Sequence, residues 1–164
     1  MTKTKPIANL ADLPRQAISH GETFQAEITR VGKALGSEKL GCSLVIVPPG
    51  KKAWPYHLHH ANEEMFVVLE GEGTLRYDGE HHPIKAGDVI SAKAGKGTAH
   101  QIVNSSKVEL RYLAISTMIH PEVAEYPDSG KRAMVAGAAP GRGPYGMFEV
   151  VRDDIGVDYW TDEA

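Results

Sequence analysis

Residues 57 to 64 read His57-Leu58-His59-His60-Ala61-Asn62-Glu63-Glu64, and another histidine, His100, stands in a later apolar-flanked stretch. Side chains alternate between the faces of a strand, so His57 and His59 point the same way. A carboxylate from Glu63 or Glu64 and an imidazole brought in by His100 from another strand complete a set of three imidazoles and one carboxylate. Nitrogen and oxygen donors of this intermediate hardness hold divalent transition metals such as zinc, iron, manganese, nickel or copper. A metal held with coordination positions to spare polarises a carbonyl, activates water, or binds oxygen when it is redox-active.

The elements that must position these groups read as short strands. Residues 24–29 alternate in polarity, and Leu44-Val45-Ile46-Val47 is a run of β-formers stopped by Pro48-Pro49-Gly50. Further strands are expected over 56–59, 65–69, 74–77, 88–91, 99–103 and 108–116, with Asp78-Gly79 as a tight hairpin turn. In the last of these, Val108, Leu110, Tyr112 and Ala114 share one face. No long amphipathic helix competes, so the chain is predicted to be all-β, an antiparallel sandwich or barrel. After Pro121 the pattern weakens. Residues 136–146 read as a Gly/Pro-rich connector, and the apolar and aromatic residues of 148–151 and 157–160 read as a tail packed on the domain or on a partner subunit.

At 164 residues and a net charge of −3, the chain fits one domain and lacks the basic patch of a nucleic-acid binder. Its first residues are not followed by an apolar run, so no leader is expected, and no stretch is apolar enough to span a bilayer. A single cysteine, Cys42, excludes a disulfide framework and a cysteine-rich zinc site. A cytoplasmic protein with no nucleic-acid or membrane partner is the expectation.

The spacing around the histidines resembles the two motifs of the cupin family. Gly50 is followed by six residues, His57-Leu58-His59, four residues, Glu64, six residues and Gly71. The second motif begins at Gly87-Asp88-Val89 and ends in His100-Gln101-Ile102-Val103-Asn104. This chain departs from it in two ways: Lys93 stands at the proline position, and four residues rather than two separate Gly95 from His100. The segment 110–130 is similar to that of small bacterial single-domain cupins of sugar-phosphate-isomerase-like or dioxygenase-like type.

The resemblance implies a cupin-type double-stranded β-helix, a jelly-roll barrel, with extended N- and C-terminal arms. The single domain would cover 1–164, with its barrel core over about 24–118 between arms 1–23 and 119–164. It implies His57, His59, Glu64 and His100 as ligands of one divalent transition metal ion: zinc, iron, manganese or nickel. Counting back from Gly71 selects Glu64 over Glu63, and alternation then turns Glu63 and His60 outward.

His81 and His82 read as solvated turn residues, and Gly71, Gly73, Gly79 and Gly87 as turn and bulge positions. Tyr56, Arg111 and Tyr112 read first as surface or core strand residues, and second as contacts for an anionic or hydroxylated substrate. Lys93 and Lys96 read likewise, as solvated loop residues before ligand contacts.

The expected function is a metal-dependent oxygenase or isomerase acting on a small polar molecule inside the barrel. The alternative is a non-catalytic binding or sensing barrel in which the metal is structural or holds the ligand. Cupin barrels often pack back to back, and with the apolar alternation of 24–29 and the aromatic tail ending at Trp160 a homodimer with exchanged terminal segments is expected.

Overall fold

Leu44, Val45, Ile46 and Val47 are all buried because their strand has protein on both faces. Val45 and Val47 point into the main core with Phe66, Val68, Leu110 and Tyr112. Leu44 and Ile46 point outward, where Leu10, Leu13, Val31 and Leu35 cover them. An unbroken apolar run is thus a strand sealed on one side by the barrel interior and on the other by the N-terminal segment.

The structure is a computed structural model and describes residues 5–163; residues 1–4, part of the segment read for a leader, and residue 164 lie outside the described residues. The strands are β1 (Gln16–His20), β2 (Phe24–Thr29), β3 (Leu40–Val47), β4 (Leu58–His59), β5 (Glu64–Glu70), β6 (Glu72–Tyr77) and β7 (Glu80–Lys85), followed by β8 (Val89–Ala92), β9 (His100–Val103), β10 (Leu110–Thr117), β11 (Glu122–Tyr126), β12 (Lys131–Ala136) and β13 (Met147–Arg152). One short helix, α1 (Val31–Ala34), joins β2 to β3.

One wall is a six-stranded sheet in the order β1-β2-β3-β10-β5-β8. The other is built from a three-stranded sheet, β7-β6-β9, and a four-stranded sheet, β13-β12-β11-β4. These two halves meet where His57 and His100 form an isolated antiparallel bridge, each main-chain N–H donating to the other's carbonyl at 3.2 and 2.8 Å. All the named strand pairs are antiparallel. The expected all-β double-stranded β-helix is the fold observed.

Several local readings change. Strand β4 is only two residues long, and His57 joins the sheet through its bridge to His100. His81 and His82 lie within β7 rather than in a turn, though both are exposed. The strand expected from 108 begins at Leu110, and Val108 is 58% exposed. Strands β1, β11 and β12 arise where the polarity pattern gave no strand; β11 closes onto β4 through Ala124↔His59 and Glu125↔Leu58. No helix among the described residues is long and apolar enough to cross a membrane.

Candidate metal centre

Alternation along β5 puts Glu64, Phe66 and Val68 on the inner face, and Phe66 and Val68 are buried there. Glu63 is exposed, its main-chain N–H taken by the Thr117 hydroxyl at 3.0 Å. His60 turns outward too, its Nε2 2.9 Å from Glu125 Oε1.

Glu64 Oε2 lies 2.8 Å from His100 Nε2, 3.6 Å from His59 Nε2 and 4.0 Å from His57 Nε2. The structure therefore brings together all four of the expected residues. His57 and His100 each turn Nδ1 to a main-chain carbonyl, that of Pro55 at 2.8 Å and that of Thr98 at 3.0 Å. A carbonyl only accepts, so each Nδ1 donates; in the neutral rings the Nε2 lone pairs face Glu64, and when His100 is doubly protonated its Nε2–H donates to Glu64 Oε2. A buried point faced by imidazole lone pairs and a carboxylate is an arrangement that a cation satisfies. Ligand atoms of His57, His59 and Glu64 all fall within 4.8 Å of one another, and this cluster suits a metal ion.

The third histidine is backed differently, by a residue that the motif spacing does not reveal. His59 Nδ1 is 3.3 Å from Glu122 Oε2, at ion-pair distance but without the alignment of a full hydrogen bond. Glu122, on β11, is buried and also accepts the main-chain N–H groups of His60, Ala61 and Asn62, each at 3.0 Å, and the Asn62 side-chain amide. The turn between the two ligand strands is thus wrapped around one carboxylate.

The electrostatics follow from this packing. Burial, followed by the neighbouring His100 and His59 rings, lowers His57 to about 4. Burial also acts to lower His59, but the contact with Glu122 and the charges of Glu64 and Glu122 outweigh it and raise the group above its ordinary value. Burial would raise both glutamates. The His100 contact and the histidine charges instead hold Glu64 low, and the His59 contact with the bonds from Asn62 and the Ala61 N–H brings Glu122 to about 2.

A cavity of about 310 Å³ opens from this cluster. Its wall includes Trp54, Phe66, Tyr112 and Tyr126, and the polar side chains of Ser43, Gln101 and Ser116. Arg30, Lys33 and Arg142 line it as well, and Arg30 and Lys33 are exposed.

Of the polar residues weighed from sequence, Tyr112 lines this space and is 1% exposed. Tyr56 packs instead under the Arg76 guanidinium, 3.7 Å from its ring centre, and accepts the Gly79 N–H. Arg111 pairs with Glu70 and Glu109. Lys93 and Lys96 do not line the cavity; their loop is tied back to β4 by Gly95 N–H donating to the His59 carbonyl at 2.7 Å. Arg30, Lys33, Glu122 and Arg142 escaped the sequence reading because folding brings them to the site from far along the chain.

Residues 43–116 match the family model for the cupin domain. Over 90% of its length the chain superposes on a protein with a provisional sugar phosphate isomerase assignment from Acidithiobacillus ferrooxidans, at a TM-score of 0.77, 28% identity and 91% coverage of that chain. A sugar phosphate isomerase of the cupin superfamily from Silicibacter pomeroyi is similar at a TM-score of 0.77 and 26% identity, covering 91% of this chain and 94% of that one. The oxalate-binding protein of Thermotoga maritima is 34% identical over 73 residues, 44% of this chain and 58% of that relative. The chain spans little more than half the length of the curated relatives it matches first. The motif spacing, the antiparallel double-walled barrel and these likenesses agree on a small cupin-domain protein, with residues 43–116 as its cupin domain.

Proposed function

We propose that this cupin is a metal-dependent enzyme of isomerase type, acting on a small anionic hydroxy-carbonyl compound inside the barrel. One divalent transition metal ion, zinc, iron, manganese or nickel, is held by His57, His59, Glu64 and His100. The observation that carries this reading is the convergence of three imidazole Nε2 atoms and Glu64 Oε2 at the buried end of a cavity that also bears cationic side chains. The names of two solved relatives support the reaction class. When bound, the metal supplies a Lewis acid for a substrate carbonyl or hydroxyl. The chain itself orients the substrate between Trp54, Tyr112 and Tyr126 and limits the water beside it.

A second reading rests on one feature of the lining. Among the described residues no carboxylate other than Glu64 faces the cavity, so no acidic side chain is free to carry a proton between adjacent carbons. Non-catalytic capture of a small oxyanion, the role named for the oxalate-binding relative, needs no such group.

The test is elemental analysis of protein purified under low oxygen, then NMR screening of small aldose and ketose phosphates with oxygen uptake in parallel. Interconversion lost in the His57→Ala protein supports the isomerase. Iron with oxygen consumption moves the reaction to the oxygenase type. A co-purifying anion without turnover supports the binding module. Protein that takes up no metal overturns the reading.

We also propose a homodimer. The outer β13 strand leaves Phe148 and Val150 exposed, and the tail leaves Tyr159 and Trp160 exposed. Light scattering at micromolar concentration checks it, and a monomer there counts against it.

A further inference from the structure

We infer that Arg30, Lys33 and Arg142 form an oxyanion clamp at the open end of the cavity, so that the ligand carries a phosphate or carboxylate at the end away from the metal centre. This inference rests on the metal-dependent reading of the same cavity.

The three cations come from two elements separated by about a hundred residues of chain, and the fold holds those elements together. Arg30 and Lys33 flank and belong to α1, which lies flat on β3. A side chain at Gly32 would put its Cβ 3.0 Å from the Cys42 nitrogen and 3.1 Å from the Leu40 carbonyl oxygen. Val31 packs on Leu44 and Ile46 beneath it. Arg142 sits in the loop between β12 and β13. That loop is organised by Arg142 N–H donating to the Ala139 carbonyl at 3.0 Å and by Gly141 N–H donating to the Tyr145 hydroxyl at 2.7 Å. The Arg142 Nη2 donates to the Ser37 carbonyl, and the Ser37 N–H in turn donates to the Gly32 carbonyl at 2.9 Å. One guanidinium therefore fastens the loop to the turn after α1 and is itself positioned at the cavity.

Surface cations are usually just solvated, and two observations separate these three from that reading. Arg15, Arg76, Arg111 and Arg132 each have a carboxylate within 4.0 Å; among the described residues Arg30, Lys33 and Arg142 have none, which is also true of Arg152, a residue outside the cavity. All three also line one concave space whose only carboxylate among the described residues, Glu64, already faces imidazoles. Guanidinium groups with unshared N–H donors bind oxyanions through charge-assisted hydrogen bonds.

The experiment is calorimetric titration of the metal-loaded protein with inorganic phosphate and, separately, with acetate. It is repeated on Arg142→Ala, Arg142→Lys and a double Arg30→Ala, Lys33→Ala protein. Removing either half of the clamp should weaken phosphate binding by roughly tenfold or more, while Arg142→Lys retains most of it. Stronger binding of phosphate than of acetate identifies the phosphoryl group as the anion; the reverse identifies a carboxylate. Equal binding by wild type and all variants shows that the anion sits on the metal alone and overturns the clamp. Metal content, measured on the same samples, should be unchanged in every variant. A metal-free wild type overturns the underlying reading, a result distinct from loss of the clamp.

Discussion

His59 is held between two carboxylates: its Nε2 faces Glu64 Oε2 at 3.6 Å and its Nδ1 faces Glu122 Oε2 at 3.3 Å. The outer carboxylate orients the ring and makes the inner nitrogen a better donor. Because Glu122 also holds the N–H groups of His60, Ala61 and Asn62, replacing it by glutamine turns an amide toward donors. We predict that Glu122→Gln lowers metal affinity by roughly 10–100-fold. Competition against a chelator measures this, and unchanged affinity removes the orienting role.

Acid should unfold the metal-free protein in two stages. His57 is lowered from 6.5 to about 4, so the unfolded chain takes up its proton first and the His57 contribution to stability is lost as pH drops from 6.5 towards 4, while His59, raised above its ordinary value, contributes in the opposite sense. Glu122 is lowered from 4.5 to about 2, so its contribution is full above 4.5 and disappears as pH falls towards 2. Urea titrations at a series of pH values should show both declines, and His57→Gln should flatten the first. A His57→Gln protein whose stability follows the same course as wild type between pH 7 and pH 4 contradicts the prediction.

Metal binding must compete with those same protons, since imidazoles bind metal only when neutral. Uptake of added zinc should weaken as pH falls from 7 to 5, and saturating zinc should raise the melting temperature of wild type. In Glu64→Gln the rise should shrink markedly; an equal rise places the ion elsewhere.

Asn104 tests a motif residue with a purely structural role. It is fully buried, donates to the carbonyls of Val47 and Val108 at 2.7 and 2.8 Å, and accepts from the Ser106 N–H and hydroxyl. Asn104→Ala should lower unfolding free energy by about 1–3 kcal/mol. Metal stoichiometry should remain that of wild type, as read by elemental analysis.

Gly71, which closes the first motif, has φ +81°, and a Cβ there would press on the Glu109 carbonyl oxygen. Gly71→Ala should cost about 2 kcal/mol or more in a denaturant titration. A neutral substitution would mean that the β5–β6 turn relaxes freely.

What was legible in the sequence was local. His57 and His59 share a face because they are two apart, and Glu64 follows from the count to Gly71 and the alternation into Phe66 and Val68. His100 required only that a later strand cross the same wall. Glu122 was hidden because its role depends on β11 pairing with β4 across some sixty residues, and a lone glutamate carries no spacing signal. Arg142 was hidden for a related reason: a Gly/Pro-rich stretch reads as connector whether or not it folds back on the barrel. Strand β1 is exposed along most of its length, so no apolar alternation marked it.

The His57–His100 bridge joins the two halves of one wall, while Glu64 belongs to the opposite wall. An ion held by all of them would therefore act as a rivet through the sandwich, and separation of the walls would require that rivet to be drawn. Main-chain amides of β4, β5 and β9 should then exchange with deuterium together and more slowly once metal is added, which makes exchange kinetics a reporter of occupancy that needs no substrate.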